Sequence, residues 1–314
     1  MEEALYSQFG FFNTDLVRSA KKGDFLTSPE VSIYFGKILR NWINTSCNLN
    51  KIVEIGSGTG SLIEQIGIKE ITAIELSSTA REELINKGIM THTNVNELTL
   101  EKSELVFGNE ILDNIPCSIG IYRDKVWYEK VVAIRENSFS YDIKPIRKEE
   151  LDWINKNNIV PNEDYELEIQ VNIDKFLNIV IKKISPKNIL LFDYGYEQAN
   201  REKRKYSSLL RTYKNHHLSV NPIEDPGNID ITYDVNFSSL SRELKTLGYD
   251  VTLKLQRNFL LESGFDIIFD ELQEKYLVAE GMEKLKINSE LNGLKAIVDS
   301  NGLGGFYCLN AQKL

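Results

Sequence analysis

Little in this chain suits it to crossing a membrane, gripping nucleic acid or being stapled by disulfides. No stretch approaches the roughly eighteen consecutive apolar residues of a membrane-spanning helix. There is no surplus of positive charge: 37 lysines and arginines stand against 46 aspartates and glutamates, a net charge of −9. A general nucleic-acid binder needs a basic face to neutralise phosphates, so this balance argues against that class. The same balance is compatible with a cationic substrate. The three cysteines, Cys47, Cys117 and Cys308, lie far apart and show neither metal-ligand nor redox spacing. No metal is expected. Met1-Glu2-Glu3 is acidic and lacks the basic-then-apolar start of a secretory signal. A reducing cytoplasm is the expectation. Internal repeats and low-complexity linkers are missing too.

What is present is 314 residues, 42% of them hydrophobic, enough for a sizeable core. The most informative stretch is Lys51-Ile52-Val53-Glu54-Ile55-Gly56-Ser57-Gly58-Thr59-Gly60. It reads as a short apolar strand running into a Gly-x-Gly-x-Gly turn. A second apolar run, Ile71-Thr72-Ala73-Ile74, ends on Glu75, the spacing expected of a nucleotide-binding α/β unit. Glycines let the backbone approach a ligand closely, and an acid after the next strand takes ribose hydroxyls. A dinucleotide fingerprint needs Gly or Ala at the position Ser61 occupies, which disfavours a nicotinamide-dependent oxidoreductase. With Glu54 ahead of it, the turn resembles motif I of class I methyltransferases.

Strands are expected at Ile52–Ile55, 71–75, 104–110 and 189–192, alternating with helices. That order implies a doubly wound, mostly parallel sheet. Thr27-Ser28-Pro29-Glu30 reads as a helix start, with Ser28 as N-cap, Pro29 at the first helical position and Glu30 favoured by the dipole. Residues 117–187 are too long for an ordinary connection and are expected to form an inserted lid or subdomain. Within them 126–134 and 139–143 suggest a hairpin with Glu136-Asn137 at its turn, and helical pieces follow near Leu151 and over 172–184. Residues 250–255 and 304–309 are expected as antiparallel closing strands. The whole, 1–314, is one domain with an insertion.

A second constellation is Asn109-Glu110-Ile111-Leu112-Asp113 after the strand ending at Phe107. Ligands in this architecture bind at the carboxyl ends of strands flanking the switch point. Glu110 and Asp113 are three apart, so one helical turn would put both carboxylates on one face, able to orient a cationic or protic nucleophile. The alternative is an Asn109 cap with solvated acids behind it.

Ordered matches then run along most of the chain. Gly23-Asp24-Phe25-Leu26-Thr27-Ser28-Pro29-Glu30, Glu54 to Leu62, Asn109-Glu110-x-x-Asp113-x-x-Pro116 and Asp193-Tyr194-Gly195-Tyr196 resemble signatures of the MidA family. So do the segments 209–217, 226–237 and 256–264. These are S-adenosylmethionine-dependent methyltransferases that include the mitochondrial complex I assembly factor. The resemblance implies a class I methyltransferase fold, Rossmann-like, with S-adenosyl-L-methionine as cofactor and methyl transfer to a protein side chain, arginine above others. A respiratory-complex subunit is the partner it suggests; no nucleic acid is implied, and the oligomeric state stays open. It assigns Ser28, Pro29, Glu54, Gly56, Ser57, Gly58, Gly60, Glu75, Leu76, Asn96 and Asn109 to the cofactor. Glu110, Asp113 and His216 are the catalytic candidates, Glu110 as the first guanidinium clamp. His216 is as readily a plain surface histidine. Asp193 either contacts substrate or caps the following turn. The basic run Arg201, Lys203, Arg204 and Lys205 reads as a solvated helix face. The alternative to an enzyme is a catalytically silent scaffold that binds the same cofactor and a partner protein.

Overall fold

The computed structural model of the chain describes residues 1–13, 27–47, 51–98, 102–204, 209–214, 217–219 and 221–314. Strands β1 (Ile52–Ile55), β2 (Ile71–Ile74), β3 (Met90–His92) and β4 (Leu105–Asn109) come first. Then β5 (Ser118–Arg123), β6 (Val126–Arg135), β7 (Ser138–Pro145) and β8 (Tyr165–Ile169) make a sheet of their own before the chain returns as β9 (Asn188–Asp193). Short strands β10 (Gly195–Tyr196), β11 (Leu210–Lys214), β12 (His217–Ser219), β13 (Asp230–Tyr233) and β14 (Val235–Asn236) follow. The last two are β15 (Tyr249–Leu255) and β16 (Tyr307–Lys313). The main sheet runs β15-β16-β9-β4-β1-β2-β3, parallel from β9 to β3, with β16 antiparallel to both neighbours.

The inner strands β1 and β9 are apolar except at Glu54, Asn188 and Asp193, and their burial explains why. All four residues of β1 and all six of β9 are buried, as both faces of a parallel sheet are covered by helices. Alternation sorts their side chains into two layers. Ile52, Leu105, Phe107, Leu190 and Phe192 pack with the helices Tyr34–Ser46, Ser61–Ile66 and Gly281–Ala296. Val53, Ile55 and Val106 pack with Val180 and Ile184 of the helix Val171–Ile184, while Ile189 and Leu191 meet Leu177 of that helix and Leu240 of the helix Phe237–Thr246. The expected α/β, doubly wound architecture is therefore present.

The four-stranded sheet, in order β7-β6-β5-β8, has a small core of Trp127, Trp153, Ile154, Leu167 and Ile169. Its hairpin turns on Glu136 and Asn137, both at positive φ, as a two-residue turn matched to strand twist requires. The helix start at the Thr-Ser-Pro-Glu segment is displaced by one residue from expectation. Thr27, not Ser28, is the N-cap: it forms a capping box in which the Glu30 carboxylate accepts the Thr27 backbone N–H at 3.1 Å. The helix Ser28–Val31 stops at once, because Ser32 is extended, and a second helix begins at Tyr34. The closing strand expected over 304–309 lies at Tyr307–Lys313, since Leu303–Gly305 is a 3-10 turn. Helices Gln256–Glu262, Phe265–Val278 and Gly281–Ala296 fill the span between β15 and β16.

Candidate active site

In-register pairing brings β1, β2 and β4 to one edge: Ile55 pairs with Ile74, and Glu54 with both Ala73 and Phe107. β1 has β2 on one side and β4 on the other, so the strand order reverses there and a crevice opens beyond the carboxyl ends. A cavity of about 570 Å³ occupies that crevice. Its wall includes Pro29, Glu54, Gly56, Ser57, Gly58, Glu75, Leu76, Asn96, Asn109 and Glu110, which the sequence had marked from five separate segments. Ser28 and Gly60 are not on the wall. Ser28 is fully buried behind it and donates its N–H to Glu110 Oε1 at 3.3 Å. Gly60 caps the helix Ser61–Ile66, and a Cβ there would meet Leu84 Cδ2 at 2.7 Å.

The glycine turn is a backbone feature. Gly56 and Gly58 have φ of 70° and 52°, the left-handed region. Glu75 holds that turn: its Oε2 accepts the Gly58 N–H at 2.8 Å, and its Oε1 accepts the Ser77 N–H at 2.8 Å. Burial pushes the Glu75 carboxyl up, while these N–H donors and Arg81 pull it down. Glu54 is buried at the end of β1, and burial pushes its carboxyl well above the usual range. Among the described residues, Glu54 Oε2 and Asn109 Oδ1 have no hydrogen-bond partner. Buried acceptors of that kind on a cavity wall suit a ligand carrying N–H donors. An amino-acid nucleoside with an ammonium group fits both the cradle and these acceptors.

Glu110 sits on strained backbone, φ 54°, at the end of β4, with its N–H donated to Phe192 O at 2.8 Å. Its Oε1 accepts from Asn109 Nδ2 at 3.0 Å as well as from Ser28. Burial first, then the Asp113 charge, pushes Glu110 up to about 8. The one-turn helix expected to align Glu110 with Asp113 does not form; residues 110–113 are irregular, bending at Glu110 and Leu112 and turning at Asp113. Asp113 therefore points away from the cavity wall, where it accepts from the Tyr194 hydroxyl. Burial pushes Asp113 up to about 6 despite Tyr194 and Arg211. Arg211 lies over the Tyr194 ring, 4.6 Å from its centroid, and pairs with Asp234 at 2.8 Å. Asp193 caps the loop: it accepts the N–H groups of Leu112 at 2.8 Å, Asp113 at 3.3 Å and Tyr194 at 2.9 Å. That places it on the structural side of the two roles left open for it.

His216 and residues 23–26 lie outside the described residues. Arg201 and Arg204 do not form a solvated face. They pair with the fully buried Glu168 of β8, at 3.3 Å and 2.5 Å. Residues missed at the sequence level are Tyr6, Phe12, Asn114, Phe176 and Ile179, all on the cavity wall. Phe176 and Ile179 come from the helix already marked over 172–184, whose apolar spacing hid the fact that one edge faces the crevice. Gln65 was missed as well. It donates to Pro29 O at 2.6 Å and accepts the Gly36 N–H at 3.2 Å, tying the Thr-Ser-Pro-Glu segment to the glycine-turn helix.

Known proteins resemble this chain along most of its length. A mitochondrial protein arginine methyltransferase NDUFAF7 homolog of Caenorhabditis elegans is 24% identical over 309 residues, covering 83% of this chain and 70% of its own. The human mitochondrial protein arginine methyltransferase NDUFAF7 is 23% identical over 361 residues, covering 93% and 78%. A Burkholderia thailandensis protein crystallised with S-adenosyl-homocysteine superposes with a TM-score of 0.86 at 21% identity, covering 99% of this chain and 86% of that one. The Caenorhabditis elegans and human relatives correct the cytoplasmic expectation, because both are mitochondrial proteins. Unpaired cysteines speak only to a reducing environment and never singled out one compartment. Residues 35–253 match the family model described as S-adenosyl-L-methionine-dependent methyltransferase, so the chain belongs to that family and S-adenosyl-L-methionine is its cofactor.

Proposed function

We propose that this methyltransferase acts on a cationic nitrogen of a protein, the guanidinium of arginine. One observation carries the reading. Among the described residues, the cavity wall holds five acidic side chains, Glu2, Glu30, Glu54, Glu75 and Glu110, and no lysine, arginine or histidine, so whatever charge it carries is negative. Low-dielectric walls of a single sign focus the field and concentrate the opposite charge. The relatives named protein arginine methyltransferases support the same class.

When bound, the cofactor supplies an electrophilic methyl group on a sulfonium. The residues proposed to hold it are Glu54, Asn109 and the Gly56–Gly58 turn at its amino-acid end. Glu75 serves the ribose, and Leu76 and Asn96, with Phe176 and Ile179, serve the base. Guanidinium is always protonated in water, so its plane must be fixed and a proton must leave. Glu110 fits both duties: it lines the cavity, is held by two donors and has a proton affinity near neutrality. Asp113 is proposed to act through its charge on Glu110 rather than by touching the acceptor. The partner is a protein, with a respiratory-complex subunit as the candidate the family resemblance brings. We take 1–314 as one domain whose insert, 117–187, meets that partner. Val132, Ile134, Phe139 and Tyr141 are exposed on its β6–β7 hairpin and support this.

The test uses extract from cells lacking the protein, incubated with purified enzyme and methyl-labelled S-adenosylmethionine. Labelled methylarginine in hydrolysed protein is expected. Label confined to lysine, carboxylates or small molecules would overturn the assignment.

A further inference from the structure

The N-terminal segment contributes a part of the cavity that neither the glycine turn nor the acidic loop explains. On the helix Glu2–Tyr6, Glu2 and Tyr6 are four residues apart and therefore share a face, and both line the cavity. Phe12 lines it too, and its ring stacks on that of Tyr6 with centroids 5.5 Å apart and planes at 21°. The Tyr6 hydroxyl donates to the Asn114 carbonyl at 3.2 Å, next to the acidic loop that presents Glu110.

This pair is rigidly built. Leu5 and Phe11 are fully buried against Ile229 and Ile231 of the neighbouring chain segment, which fixes the N-terminal segment to β13. Asn13 Nδ2 bridges back to the carbonyls of Tyr6 at 2.7 Å and Ser7 at 3.0 Å. The fold-back is so tight that a Cβ on Gly10 would stand 2.6 Å from the Leu5 carbonyl carbon. So much anchoring places two aromatic rings against a cavity lined by acidic side chains and, among the described residues, by no basic one.

Aromatic faces attract cations, and a planar guanidinium stacks on them where a compact ammonium does not. We propose that Tyr6 and Phe12 form the wall against which the acceptor's guanidinium lies, with Glu110 as its charge partner, so that the N-terminal segment selects arginine over lysine. This rests on the protein-arginine reading above and adds the residues that would enforce it. The ring, not the hydroxyl, does the selecting. Burial and the nearby acids Asp113, Asp230 and Glu75 hold the phenol proton firmly, and its O–H is already donated to Asn114.

The experiment measures binding of acetyl-arginine amide and acetyl-lysine amide to the protein saturated with S-adenosyl-homocysteine, by NMR saturation transfer. Wild type should prefer the arginine probe. Tyr6→Leu and Phe12→Leu should each weaken arginine binding by roughly five- to tenfold and erase most of the preference, in line with loss of a cation–π contact. Tyr6→Phe should stay within about twofold of wild type, since it keeps the ring. S-adenosyl-homocysteine affinity, read by calorimetry, should be unchanged in all three, which also shows that they fold. Retention of the arginine preference in both leucine variants overturns this inference alone. A wild-type protein that prefers the lysine probe overturns the arginine reading and this inference with it.

Discussion

Glu75 accepts the backbone N–H of Gly58 at 2.8 Å, so the acid at the end of β2 and the glycine turn at the end of β1 are one unit. The second oxygen of Glu75 accepts the Ser77 N–H that opens the next helix. Glu75→Ala therefore strands two backbone donors, each costing about 1–3 kcal/mol if left unpaired. The expected outcome is a Tm lower by roughly 5 °C or more in addition to lost cofactor affinity. A variant that loses the cofactor with its Tm intact would show that Glu75 serves only the ligand.

Gly58→Val separates the turn from the acid. With φ at 52°, the position suits glycine, and a β-branched residue there carries about 1–3 kcal/mol of backbone strain. The turn must shift to relieve it, and it forms the cavity wall. Calorimetry should show S-adenosylmethionine affinity down by roughly tenfold or more, about 1.4 kcal/mol or above. Unchanged affinity would remove the turn from the cofactor site.

How much of this was legible follows from where the signal lies. β1, β2, β4 and β9 were readable because parallel strands covered on both faces are mostly apolar, interrupted here only by Glu54, Thr72, Asn109, Asn188 and Asp193. The hairpin at Glu136-Asn137 was readable from turn chemistry. Glu110 was readable by its place after β4, but the orientation of Asp113 was not. It depends on a residue at positive φ and on Tyr194, eighty-one positions away. The same holds for Glu168, which looks like a surface acid in its own strand. Only the fold brings Arg201 and Arg204 to it. Tyr6 and Phe12 carry no motif that marks a cavity wall; their part in it depends on the packing of Leu5 and Phe11 against Ile229 and Ile231.

Glu168 yields a stability prediction distinct from the active site. It is fully buried, and it ties β8 of the small sheet to Arg201 and Arg204 of the segment after β10. Removing one partner of a buried ion cluster leaves the others uncompensated, at about 3–5 kcal/mol. Glu168→Ala should therefore lower the urea midpoint markedly, with cofactor affinity measured below the transition unchanged. A double variant that also replaces Arg204 by Met should recover part of the loss. Additive losses in the double variant would refute the pairing.

Glu110 links the site to pH through a worked sign. Its folded carboxyl is pushed up to about 8 by burial and by Asp113, against an ordinary value of 4.5. The folded state thus holds a proton that the unfolded chain has given up over that window, so stability falls as pH rises from 4.5 through about 8. Glu110→Gln, which cannot ionise, should be a few degrees more stable than wild type near pH 8.5, with the difference closing toward pH 5. Acceptor binding should run the other way. A guanidinium needs the ionised carboxylate, so wild-type affinity for an arginine acceptor should rise as pH climbs through about 8. Glu110→Gln should bind the acceptor weakly at every pH and show no such rise, while its S-adenosylmethionine affinity stays near wild type. Thermal melts and acceptor titrations across pH 5 to 9 check both halves. If the Gln variant kept the wild-type pH dependence of acceptor binding, the titrating group would have to lie elsewhere on the cavity wall.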